Sequence, residues 1–255
     1  MPDSAAYVEL HAHSAFSFLD GASLPDELAA AASRLGHPAL ALTDHDGIWG
    51  SMEFAQACAG LGVRPITGAE LTVAASAATV PDAPFRGNCP PGCFHVTVLV
   101  ESAAGYRSLC RLLTLSHAHT RGWNGAPEDE REPLVAGEAA LDRRHGLVHP
   151  ALTLAALEEE GATEGLVCLS GCARDGALAG RIGRGDRAGA EALGRRLLAA
   201  FGPDRFRVEL QRPFWRGDRT RNRRLAELAT LLGVPTVATG NVHFHDRRRA
   251  SLQDA

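Results

Sequence analysis

Short apolar runs recur along the chain, and between them apolar residues return every three or four positions. Tyr7–Leu10, Ala39–Thr43, Arg64–Thr67, Val96–Val100, Leu166–Leu169, Phe206–Leu210 and Pro235–Ala238 read as strands, and Leu71–Ala75 extends the third beyond Gly68-Ala69-Glu70. Ser23 can cap a helix carrying Leu28, Ala31, Ala32 and Leu35 on one face, stopped by Gly36. Ser51–Leu61, Ala103–Ala118 and Arg219–Leu232 predict further helices; Gly137–Leu141 and Leu154–Glu160 predict short ones, and helices fill 173–201. Ala77–Gly92 and the polar Thr120–Pro133 read as loops, the second as the more mobile. Strands alternating with helices predict a parallel sheet with helical crossovers, and both an open doubly wound sheet and a closed barrel fit. No G-x-G-x-x-G follows the first strand, which weakens a dinucleotide-binding reading. No repeat or composition break marks a domain boundary, and Ala250–Ala255 ends without a helix stop signal, as if cut from a longer chain.

Composition narrows the picture modestly. A chain of 255 residues, 45% hydrophobic, can bury a large core. A net charge of -4 argues against nucleic-acid binding by the whole surface, and every basic residue is arginine. Six cysteines in a chain this long do not form a disulfide framework; Cys58, Cys110 and Cys168 fall at apolar positions and read as core. With no membrane-length apolar run and no secretory signal, a cytoplasmic, non-membrane protein is expected.

The chemistry gathers just after the strands. His11 and His13, two apart, point to the same side of an extended segment, and Asp20 follows. Asp44, His45 and Asp46 follow the second strand, Glu70 the third, Gly171 and Cys172 the strand at 166–169, and Asn241 and His243 the last. His95 lies at the front of its strand rather than its end. Barrel enzymes build their sites from the C-terminal ends of several strands. A mixture of His, Asp, Glu and one Cys suits borderline divalent ions, and so many donors, if they converge, call for two or three of them. Such clusters clamp phosphate oxygens and generate a water nucleophile.

Weaker signals flank this set. Asp44 reads as a support for a ligand or the backbone, and His245, at strand spacing from His243, as a second candidate for such a role. Cys89 and Cys93 beside His95 lack a fourth partner for a separate zinc and read as an ordinary loop. His117 and His119 read as helix-end residues, and His37, His145 and His149 as surface. The basic run at 216–224 reads first as a solvated helix face; Arg216, Arg219, Arg221, Arg223 and Arg224 are the candidates should this surface meet DNA.

His11-Ala-His13, Phe18-Leu-Asp20-Gly21, Thr43-Asp44-His45 and Gly68-Ala-Glu70 together resemble the PHP (polymerase and histidinol phosphatase) domain. The version they resemble stands at the N-terminus of bacterial polymerase III alpha-type (C-family) DNA polymerases. Phe94-His95, Leu169-Ser-Gly-Cys172 and Ala238-Thr-Gly-Asn241-Val-His243 follow in the same order. VELQRPFW at 208–215, TGNVHFH at 239–245 and the closing LQDA look most like the error-prone, damage-tolerant branch. The resemblance implies a distorted (β/α)7 TIM-like barrel, residues 1–255 forming one PHP domain at the N-terminal end of a longer polymerase. It implies two or three divalent ions (zinc, manganese, iron or magnesium) on His11, His13, Asp20, His45, Glu70, His95, Cys172, Asn241 and His243, with Glu70 bridging. His11, His13, Asp20, His45, Glu70 and His243 would act through those ions in a phosphodiesterase, 3′–5′ exonuclease reaction on DNA. The implied partners are DNA, the remaining polymerase domains, and other damage-tolerance or replisome proteins. The alternatives are an inert metal module stabilising a polymerase, and a free-standing small-molecule phosphatase. Asn241 departs from the family, which commonly has Asp there; it offers a carbonyl oxygen and no charge.

Overall fold

In the computed structural model, which describes residues 7–82, 88–121 and 148–253, the apolar runs assemble into one mixed sheet flanked by helices. The strands are β1 (Ala39–Leu42), β2 (Arg64–Ala74), β3 (Cys93–Val100), β4 (Leu152–Thr153), β5 (Leu166–Leu169), β6 (Phe206–Gln211) and β7 (Thr236–Thr239). The helices are α1 (Pro25–Arg34), α2 (Ser51–Leu61), α3 (Ala103–Ala118), α4 (Leu154–Glu158), α5 (Ala179–Gly183), α6 (Arg187–Phe201), α7 (Asp218–Leu232) and α8 (Ala250–Gln253). Strand order is β1-β2-β3-β5-β6-β7, with the short β4 paired to β2. Among the described residues no helix is long and apolar enough to cross a membrane. The predicted helix at 137–141, His145 and most of the loop at 120–133 lie outside the described residues.

The sheet corrects two expectations. It is not all parallel: β3 runs antiparallel to both β2 and β5. A parallel return needs a helical crossover, and the described residues between β2 and β3 hold only a 3-10 turn at Ala77–Thr79. Nor is Tyr7–Leu10 a strand. Its neighbourhood divides its backbone bonds between two partners instead of building a ladder on one. Glu9 O accepts from Ala41 N and Ala12 O from Thr43 N, while His13 N donates to Val242 O and Val242 N to His11 O. Residues 9–13 therefore join β1, one edge of the sheet, to the chain leaving β7, the other edge.

The helix predictions at 51–61 and 103–118 match α2 and α3 residue for residue. Ser102 caps α3 by accepting from Gly105 N. The predicted cap of α1 differs. Pro25 opens the helix, Glu27 accepts from the Leu24 amide at 2.9 Å, and Ser23 is engaged with His245 instead.

Strand side chains alternate between two environments. On the outer face, Leu71, Val73, Val96 and Val98 pack with Leu109 and Leu112 of α3, Leu193 and Leu197 of α6, and Leu225 and Leu228 of α7. Leu40 and Leu42 pack with Leu28 of α1 and with Phe54 and Cys58 of α2. Each such buried side chain contributes roughly 1.5–3 kcal/mol, and this outer layer offsets what lies on the inner face. There, Ala41, Leu99 and Leu169, with Ile66 and Val237 against them, form a small apolar floor. The inner rows then turn polar: Gly68 and Glu70 follow Ile66 on β2, and Thr97 and His95 precede Leu99 on β3.

Candidate metal centre

Glu70 is the centre of the polar end. Its side chain is 2% exposed and meets four imidazoles. His11 Nε2 lies 3.5 Å from Oε1, His13 Nε2 3.5 Å from Oε2, His45 Nδ1 3.1 Å from Oε2 and His95 Nδ1 3.4 Å from Oε1. Asp20 forms a second focus, with His45 Nε2 at 2.9 Å and His243 Nδ1 at 3.0 Å from Oδ2. Asn241 Oδ1 is 3.1 Å from His13 Nε2. Three groups of donors lie close enough to share an ion: His11, His13 and Glu70; His13, Asp20 and His45; His45, Glu70 and His95.

The fold brings these residues together by three routes. β2 delivers Glu70 at its C-terminal half, and the bridge between His45 and Glu70 fixes the loop after β1 against it. The antiparallel course of β3 resolves the position of His95. A residue at the front of an antiparallel strand lies at the same end of the sheet as residues closing parallel ones. Gly171 seats Cys172: at φ 88°, a Cβ there would fall 2.2 Å from the His95 carbonyl oxygen. Gly21, beside Asp20, is equally constrained, since a Cβ would strike Ser14 O. Asn241 sits at φ 50°, in the left-handed region that Asn tolerates better than most side chains.

His11 Nε2, His45 Nδ1, Glu70 Oε1, His95 Nδ1 and His243 Nδ1 are all buried and, although each lies 3.0–3.5 Å from a ring nitrogen or carboxylate oxygen, none makes a well-aligned hydrogen bond. An unpaired buried polar atom costs about 1–3 kcal/mol, so five in one cluster would be a heavy standing penalty. Lone pairs of imidazole and carboxylate facing one another are the donor set of a borderline divalent cation, and the residues present fit such an ion.

Without a cation, the same carboxylates and rings compensate one another's charge. Burial would raise the Glu70 carboxyl, but His95, His11 and His45 outweigh it and hold it well below the usual carboxylate range. Burial also works against the charge on Asp20, and the His243 and His45 rings beside it again prevail, holding it low. Burial would lower His11, yet Glu209 and Glu70 raise it well above an ordinary histidine; Glu70 does the same to His95. His13 goes the other way, lowered by burial and by its neighbouring rings. Burial raises the Cys172 thiol, which touches the same cluster through His95.

Several supporting residues escape the strand-end pattern. Glu209 Oε1 lies 2.7 Å from His11 Nδ1 and also accepts from Gln211 and Thr239; Thr97 Oγ1 is 3.2 Å from the same His11 nitrogen. A carboxylate on the far nitrogen of a histidine fixes its ring and directs the other nitrogen inward. Glu9 accepts from the His11 and Gly240 amides, tying the first segment to the last. The available signal for Glu209 and Gln211 is that, with Arg207, they alternate with the apolar residues of their strand, two apart like His11 and His13 before them.

The remaining candidates separate cleanly. Asp44 accepts from Ser14 N and from the Ser14 and Ser17 hydroxyls, and Ser17 in turn accepts from His45 N. Asp46 holds Thr72 of β2. His245 meets Ser23 and Glu27 at the start of α1 rather than any donor of the cluster. His117 engages the Asp46 carbonyl, and His119 that of His149. Arg221 is held by Asp218 and the Gln211 carbonyl, and Arg223 lies near Glu227, whereas Arg216 and Arg219 are exposed.

A cleft of about 190 Å³ opens over the cluster, lined by Asp20, His45, Glu70, His95, Cys172, Asn241 and His243 and rimmed by Arg174 and Trp215. A relative from Symbiobacterium thermophilum, named error-prone DNA polymerase, is 39% identical over 98% of this chain and 20% of its own length. The DNA polymerase III subunit alpha of Treponema pallidum is 33% identical over 98% of this chain and 19% of its own. The chain thus spans about a fifth of the length of these relatives. A candidate metal-dependent phosphoesterase from Bifidobacterium adolescentis shares the fold, with a TM-score of 0.53 at 15% identity, covering 94% of this chain and 88% of that one. The model of the PHP domain matches residues 9–213, well over half of the sequence, and the chain belongs to the PHP domain family.

Proposed function

We propose that this chain is the PHP module of an error-prone, polymerase III alpha-type DNA polymerase, acting in the cytoplasm, and that it hydrolyses phosphodiester bonds at the 3′ end of a DNA strand. In this reading its seven strands and the 9–13 segment make up a distorted TIM-like barrel. The observation that carries the proposal is the Glu70 focus, where four imidazoles surround one buried carboxylate beneath an open cleft. Bound divalent ions would supply Lewis acidity toward phosphate oxygens and a water of lowered pKa. His11, His13, Asp20, His45, Glu70, His95, Cys172, Asn241 and His243 would hold them. The chain's own contribution is orientation: Glu209 fixes the His11 ring, and Asp44 acts through Ser17 on the His45 backbone. Asp20, His45 and His243 reach the cleft, where a scissile phosphate would enter.

The test is release of 3′ nucleotides from labelled single-stranded DNA with manganese or zinc. Cleavage abolished by His13→Ala and by His45→Ala supports the reading; absence of cleavage with metal bound overturns it. One observation favours a second reading, an inert metal module. Asn241 brings no charge, and its Oδ1 lies 3.1 Å from His13 Nε2, where it can occupy that ring nitrogen. If so, Asn241→Asp should raise metal content by one ion; unchanged content and activity would rule out this account of the position.

A further inference from the structure

The loop after β6 exposes two aromatic rings beside the cleft. Phe214 is 84% exposed and Trp215 44% exposed, and Pro213 and Trp215 both line the cleft. Each ring carries a guanidinium: Arg174 lies 5.1 Å from the centre of the Trp215 ring and Arg212 5.3 Å from that of Phe214. Arg–aromatic stacks occur about once per 70–80 residues, so their number here is ordinary. Their location is not, because of the two stacks found among the described residues one, Arg174 on Trp215, lines the cleft, and the other, Arg212 on Phe214, is carried by neighbouring residues of the same loop. Phe214 also adopts φ 64°, which for a bulky side chain costs roughly 1–3 kcal/mol. The backbone thus accepts strain at a ring that gains almost no burial. Asp175 is the acidic group on this part of the rim, beside Arg174, while Arg212 and Arg216 are exposed.

Flat rings interleaved with arginines take the π-faces of unpaired bases, and the arginines take the strand's charge. We infer that Phe214 and Trp215, with Arg174 and Arg212, form a stacking shelf for unpaired bases of a single-stranded nucleic acid, positioning its end over the metal centre. The inference rests on the proposed reading of the cleft as a site for a DNA end. These four are positioning residues, and none of them is a candidate metal ligand.

The experiment follows Trp215 fluorescence in a Trp49→Phe, Trp123→Phe background, since the chain has three tryptophans. The probes, all with phosphorothioate linkages, are oligothymidylate, oligo(5-methyluridylate) of equal length, and an abasic oligomer of equal charge. Oligothymidylate should quench Trp215 and the abasic oligomer should not; the uridylate arm reports whether the sugar matters. Read from the anisotropy of 5′-fluorescein-labelled oligomers, Phe214→Ala and Trp215→Ala should each weaken oligothymidylate binding about tenfold, while abasic binding and metal content stay unchanged. Trp215→Phe should restore most of the affinity. Equal binding of base-bearing and abasic oligomers, or alanine variants without effect, overturns the shelf and leaves the lip as a protein-contact surface. Base-dependent quenching with no cleavage of the unmodified labelled strand in the preceding test would sink the hydrolase reading alone. Cleavage indifferent to the alanine variants would sink the shelf alone.

Discussion

The two halves of the metal centre are built differently. The side chains of His11, His13, Glu70 and His95 are at most 2% exposed and come from the inner face of the sheet and the 9–13 segment. Those of Asp20, His45 and His243 are 10–20% exposed and come from loops over the cleft. The inner half is braced by buried partners, Glu209 and Thr97 on His11 above all. The outer half leans on Asp20 and on loop hydroxyls. The difference separates two tasks: the inner groups hold charge in a dry, preorganised place, and the outer groups can exchange partners with whatever enters.

Glu70 is the inner residue that reaches the outer half, through His45, so breaking it tests the comparison most severely. Glu70→Gln keeps the volume and removes the shared charge; metal affinity should fall more than 100-fold at every ion, measured by competition with a chromogenic chelator. If only some ions are lost, the two halves are independent and Glu70 is not their bridge. Chelation of the native chain comes next. An ion present at a hundred times its Kd stabilises by about 2.7 kcal/mol, which for a domain of this size is about 5–10 °C in Tm. His243→Ala, on the outer half, should leave most of that thermal gain in place; an equal loss would erase the distinction.

Glu209→Gln probes the inner brace alone. Weakening a partner behind a ligating histidine costs roughly 10–100-fold in metal affinity, and the effect should appear without any change at the cleft mouth. The smallest effect is in protons. His11 and His95 are raised in the folded, metal-free chain by Glu209 and Glu70, against their burial. Their contribution to stability is therefore complete below the unfolded histidine value of about 6.5 and is lost as pH rises through the folded values. A metal requires the neutral rings, so loading at pH 7 should release protons and tighten as pH rises. Calorimetry in buffers of different ionisation heat measures this; proton uptake instead would contradict the assigned charge states.

Much of this was legible in the residues. His11, His13, His45, Glu70 and His243 announce themselves as polar donors after apolar runs, and the structure brings them together. His95 was legible only through the family likeness, because the direction of β3 depends on a connection whose spacing does not reveal it. The expected first strand failed because residues 9–13 satisfy two neighbours at once, which local pattern cannot encode. Glu209 and Gln211 were hidden by the opposite problem: on a strand, an inward carboxylate and an outward one have the same spacing, and only the sheet decides which face is buried. Asp44 was recognisable as a support, although its partners Ser14 and Ser17 were not.

The 9–13 segment also has a consequence in time. His13 is bonded to Val242, so the first donors of the centre to leave the ribosome wait for almost the last. At about 5–20 residues per second, that interval is roughly ten to fifty seconds. Throughout it the backbone of residues 11–13 can be held from the β1 side only, although Glu70, Thr97 and Glu209 become available to the His11 ring before Val242 does. The order of synthesis thus makes the centre a late arrival, assembled after the helices and strands between have had time to pack. Metal loading should accordingly be a property of the finished sheet and not of its growing edge.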